Sequence, residues 1–136
     1  MASTIPRAIR KGLVDQLSSF NLKRAFFMDL TGYDPLTATT YTALVATATE
    51  VLGGGYTTGG YALTNKLTAN LATNAAKMTP DPTTVASATF TARYAVIYDS
   101  DSGTIFGVQD FLSTYSVSSG TFTVTDSPTE GMFLVE

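Results

Sequence analysis

Carboxylates are the main side chains with which this chain could do acid–base chemistry. It has no histidine and no cysteine. That removes the commonest general base, the commonest metal ligand and every thiolate or disulfide. Ser-His and Cys-His nucleophile pairs are ruled out with them. Glycoside hydrolysis by carboxylates alone would need two acids brought together by the fold. The 11 acids are scattered singly and nominate no pair. Asp99, Asp101 and Gly103 echo a calcium loop, but position 103 is not acidic, 104 is not glycine, and Asp110 stands where a glutamate belongs. The run Gly53-Gly-Gly-Tyr-Thr-Thr-Gly-Gly60 lacks the Lys-Ser/Thr of a phosphate loop and fits no G-x-G-x-x-G register. It reads instead as backbone that needs positive φ, with Tyr56 as its anchor. The expectation is a non-enzymatic protein with no catalytic residue, no cofactor and no metal.

What remains is material for contact. Seven tyrosines offer apolar area with a hydroxyl, suited to a protein or sugar surface. Tyr33 and Tyr56 are the interface candidates among them. Arg7, Arg10, Lys11, Lys23 and Arg24 are five of the eight basic residues; with Asp15 they give the first 24 residues a charge of +4, against −7 for the rest. This asymmetry makes the five basic residues interface candidates as well. Without an aromatic platform they are a weak signal for nucleic acid, and no specific nucleic acid is expected.

The elements that must position these residues are mostly strands. In Ala88–Leu112, Phe90, Ala92, Tyr94, Val96 and Tyr98 alternate with Thr89, Thr91, Arg93, Ala95 and Ile97, the period of a strand. Asp99-Ser-Asp-Ser-Gly103 has turn chemistry, and Thr104–Leu112 is the return strand of a central hairpin. Leu22–Leu30 reads as the first strand. A strand is also expected over Ala62–Thr68, another over Thr121–Thr125 after a turn at Ser116–Gly120, and a short closing strand over Met132–Val135. Thr37–Leu52 reads as a loop followed by an extended segment into Glu50 and Val51. Asn70–Lys77 reads as weakly helical or irregular, and Thr79–Thr83 as a rigid loop. Before all of these, Ile9, Leu13, Leu17 and Phe20 form a stripe at helical spacing, so a helix is expected over Arg7–Phe20, packed on the protein's own sheet or, as the alternative, docked on a neighbouring subunit. The fold class is therefore mainly β. It is a β-sandwich or related barrel of short antiparallel strands behind an N-terminal amphipathic helix: one domain over 1–136, with tail and helix at 1–21 and β-body at 22–136.

Only 14% of the 136 residues are charged, and the polar surface is largely Thr and Ser. Such composition suits β-proteins that bury much of their exterior in an assembly. No apolar h-region follows Arg7, Arg10 and Lys11, and no run approaches a membrane span, so neither a secretory signal nor a membrane is expected.

Three stretches resemble small structural virion proteins of tailed bacteriophages. They are Glu50-Val-Leu-Gly-Gly-Gly-Tyr-Thr-Thr-Gly-Gly-Tyr-Ala-Leu63, Thr91-Ala-Arg-Tyr-Ala-Val-Ile-Tyr98 and Ser119-Gly-Thr-Phe-Thr-Val124. The resemblance implies a capsid cement or decoration protein that stabilises the shell by protein–protein contacts. Its partners would be the major capsid protein or other virion subunits. It would act as a homo-oligomer in a virion assembled in the host cytoplasm. The alternative is a tail-, baseplate- or fibre-associated β-module that meets host surface glycan through tyrosines.

Overall fold

The computed structural model describes residues 7–37, 40–71, 75–127 and 132–135. In chain order its elements are α1 (Arg7–Ser18), β1 (Leu22–Phe27), α2 (Tyr41–Val45), β2 (Tyr61–Ala62), β3 (Leu67–Leu71), β4 (Ala75–Thr79), β5 (Thr83–Asp99), β6 (Ile105–Val124) and β7 (Phe133–Val135). The protein is mainly β, with antiparallel sheets and an N-terminal helix, as expected. It divides into two compact units: Met1–Phe20 with Leu63–Pro82 and Val124–Glu136, and Asn21–Ala62 with Thr83–Thr123.

The first unit holds α1 and a three-stranded sheet in the order β3-β4-β7, both pairs antiparallel. The helix packs on this sheet. Its buried line differs from the expected stripe, because Val14 is fully buried whereas Leu13 is 43% exposed. Neighbouring helix residues point about 100° apart, so the two cannot share the covered face. The side chain of Ile9 lies outside the described residues, as do residues 1–6 of the expected tail. Where a weakly helical or irregular segment was expected, β4 pairs Lys77 with Ala69 on one side and with Leu134 on the other.

The second unit is a four-stranded sheet in the order β2-β1-β5-β6. In β1, Ala25 lies opposite Val96 and Phe27 opposite Tyr94. Successive strand residues face opposite ways. Phe27 therefore joins Ala25, Leu44, Val96 and Tyr98 in one cluster, while Phe26 meets Tyr56, Phe90 and Phe122 on the other face. The β5–β6 hairpin is the one read from the sequence. Its turn is held by Gly103 N–H donating to Asp99 O (2.7 Å), and the Asp99 carboxylate accepts from Ser102 Oγ (2.7 Å) and Ser102 N (3.1 Å).

The hairpin strands are not short. β5 has 17 residues and β6 has 20, against a usual strand of about 5–6. The expected turn at Ser116–Gly120 is instead the middle of β6. Cross-strand hydroxyls hold it there: Thr91 Oγ1 to Ser116 Oγ (2.9 Å), and Ser119 N–H to Thr89 Oγ1 (2.9 Å). The turn-like composition is absorbed by irregularity within the strand. Leu112 and Ser119 have φ of 65° and 51°. Between the Arg93–Asp110 and Thr91–Ser116 contacts β5 advances two residues while β6 advances six, so β6 carries a bulge there.

Two further stretches differ from expectation. Thr37–Leu52 contains a short helix, α2, whose first turn is capped by Thr40 Oγ1 accepting from Ala43 N (3.2 Å). The extended segment follows as read, with Met28 N donating to Thr49 O (2.8 Å) and Val51 N to Phe26 O (3.0 Å). The single strand expected over Ala62–Thr68 is two strands, β2 and β3, separated at Asn65, where φ is 49°.

Candidate functional site

The extended segment alongside β1 turns the side chain of Glu50 inward, where the residue is 8% exposed. Its carboxylate is the hub of the second unit. Oε1 accepts from Tyr56 Oη (2.6 Å) and from Gly59 N (2.8 Å), and Oε2 accepts from Tyr41 Oη (2.5 Å). Tyr56 Oη also accepts from Phe26 N (3.1 Å), and Tyr98 Oη donates to Gly59 O (2.5 Å). A buried carboxylate is tolerated when its lone pairs meet donors. Here three neutral donors take that role. The phenols are held protonated in return. Burial first, then the hydrogen bond to Glu50, pushes Tyr41 and Tyr56 well above the ordinary tyrosine range; burial and the Glu50 charge also push Tyr98 up.

The glycine-rich loop shapes itself around this hub. At Gly60 (φ +83°) a Cβ would lie 2.1 Å from Arg24 O, and at Gly54 (φ +60°) a Cβ would lie 1.8 Å from Thr89 O. Positive φ and close backbone approach are the two demands only glycine meets cheaply. Outside the hub an open groove of about 300 Å³ is lined by Tyr41, Val45, Ala48, Leu52 and Glu50, among others. No three Asp or Glu side chains gather as a metal site among the described residues.

The interface candidates are divided between the two units. Arg7 and Arg10 lie on α1, but their side chains lie outside the described residues. Lys11 pairs with Asp15 (3.0 Å) on the same helix. Lys23 is half-buried on β1, opposite Tyr98. Arg24 is a correction: it is fully buried, with a guanidinium nitrogen donating to Thr83 Oγ1 (3.0 Å), so it offers no surface. Tyr56 is another, 6% exposed because its hydroxyl serves Glu50 and Phe26. Tyr33 is half-buried against the Phe27–Leu44 cluster. Sequence reasoning passed over Glu50, Tyr41 and Tyr98. The signal was an acid beside Val51 and Leu52, just ahead of glycines that bracket Tyr56.

The exposed feature of this unit is β6. It is an edge strand in a sheet whose other members are β2, β1 and β5. Its side chains are all exposed or half-exposed, with Leu112 at 82% and Tyr115 at 52%. Asp110 is its sole charged residue, and Arg93 pairs with it (3.3 Å). No helix among the described residues is long and apolar enough to cross a membrane. No protein family, curated protein or solved structure matches the chain.

Proposed function

We propose that this chain is a non-enzymatic structural subunit of a bacteriophage virion, a cement or decoration protein that stabilises the capsid shell through protein–protein contacts. The observation that carries this reading is the β6 edge. Exposed edges offer unpaired backbone donors and acceptors to another chain, and monomeric proteins guard them with charges, prolines, bulges or short strands. β6 is 20 residues long, has no proline and holds its one charge in a pair with Arg93, which leaves its bulge as the guard. An edge of this kind suits a protein whose outside is covered in an assembly. The likeness of Glu50–Leu63, Thr91–Tyr98 and Ser119–Val124 to phage virion proteins supports placing that assembly in a virion. In this chain those stretches are the Glu50 loop, the central strand and the edge strand.

The second reading, a tail, baseplate or fibre module that touches glycan, is favoured by Tyr115, whose ring stands half out in solvent on the same edge. One experiment separates the two. Cryo-electron microscopy of purified virions of the encoding phage, with cross-linking mass spectrometry, is expected to locate the chain on the capsid shell with β6 residues cross-linked to another subunit. Location on the tail supports the second reading. Absence from purified virions overturns both.

A further inference from the structure

We infer that the groove over Glu50 is a socket for a lysine side chain presented by a different protein. The groove has apolar walls, Val45, Ala48 and Leu52, and Glu50 among its lining residues. That is the complement of a methylene stem ending in a cation. One oxygen of Glu50 has fewer donors than the other. Oε1 takes two donors, from Tyr56 and Gly59, whereas Oε2 takes one, from Tyr41, itself a wall of the groove. A carboxylate has about four acceptor sites, so the position left belongs to Oε2.

A single position suits the point donor of an ammonium better than the two-pronged fork of a guanidinium. The usual obstacle to a buried ion pair is stripping water from both ions. Glu50 is largely stripped on folding and held by three donors, so the water lost on docking is mainly that of the incoming cation. Three of this chain's eight basic residues are engaged elsewhere: Lys11 with Asp15, Arg93 with Asp110, and Arg24 inside the unit. A chain of net charge −3 also favours a basic partner surface. The socket does not depend on the edge-strand reading, and either can fail alone.

The test titrates the purified full chain with n-butylammonium, n-butanol and ammonium ion, following backbone and tyrosine resonances by NMR. The expected result is a saturable shift confined to Tyr41, Ala48, Glu50 and Leu52 with n-butylammonium, with both controls about tenfold weaker or more. Leu52→Ala, at a site 77% exposed and so outside the core, should weaken binding several-fold. Glu50→Gln should abolish it, and if that variant fails to fold, Leu52→Ala and the butanol control still decide. Equal shifts with butanol, or no localised shift with n-butylammonium, overturn the socket. Concentration-dependent dimerisation relieved by Leu52→Ala overturns the assignment to a different protein.

Discussion

Tyr41 lies flat against Tyr98, with ring centroids 4.4 Å apart and planes 10° from parallel, yet the two hydroxyls donate to different acceptors, Glu50 Oε2 and Gly59 O. Neither ring can ionise without placing a phenolate beside a buried carboxylate. Tyr41, Tyr56 and Tyr98 are all raised above the ordinary value of 10.0. The sign follows from linkage. Below pH 10.0 folded and unfolded chains both keep these protons, so the stabilisation is complete. As pH rises further the unfolded state loses protons that the folded state retains, and stability falls. Alkaline titration should therefore show Tyr41, Tyr56 and Tyr98 ionising only together with unfolding. Ionisation of these three near 10.0, with the fold intact, would disprove the hub.

The loop glycines should differ sharply from the helical one. Gly60→Ala forces a Cβ against Arg24 O at positive φ, and should cost more than about 2 kcal/mol in thermal or denaturant melts. Gly12 has nothing within 4 Å of its would-be Cβ. Gly12→Ala should raise stability by up to about 1 kcal/mol through helix propensity.

Acid should weaken the hairpin turn. The carboxyl of Asp99 is held below its ordinary 3.8, first by the Ser102 hydroxyl and then by turn N–H groups. A depressed acid contributes stability that is complete above the unfolded value and is lost as pH falls through the folded one. Asp99→Asn should thus be less stable than the parent at pH 7, and the gap should narrow below about pH 4. A gap independent of pH from neutrality to pH 2 would show that the charge on Asp99 is irrelevant to the turn.

On α1, the burial of Val14 beside the exposure of Leu13 predicts opposite tolerance. Val14→Asp should cost more than about 3 kcal/mol, combining lost burial with a stranded carboxylate. Leu13→Asp should stay within about 1 kcal/mol of the parent. Equal losses in urea melts would mean that the helix presents a different face to its sheet.

What the sequence made legible was local. Phe90 to Tyr98 alternate, Asp99 to Gly103 bond their own backbone, and both signals lie within a few residues. The middle of β6 was not legible, because Ser116–Gly120 has the composition of a turn and is kept extended by Thr89 and Thr91 from the partner strand. The helical stripe was misread by one residue, since Ile9, Leu13 and Leu17 keep a spacing of four that Val14 does not share, but only the sheet decides which face is covered. Glu50 was invisible as a site for the same reason: its three donors come from positions 41, 56 and 59, and the fold alone gathers them.

The division of the chain has a consequence for how the protein is made. The unit containing α1 draws on three separate stretches, and the sheet that receives the helix is completed by Phe133–Val135. Translation proceeds at about 5–20 residues per second, and structure forms as sequence emerges. The helix is synthesised early and its last partner strand late, whereas every residue of the other unit has been made once Thr123 is added. Nascent chains should therefore pass through a stage in which the later-starting unit has all its residues while the sheet under α1 still lacks its last strand, and that stage is the window in which a chaperone would find an incomplete apolar layer to hold.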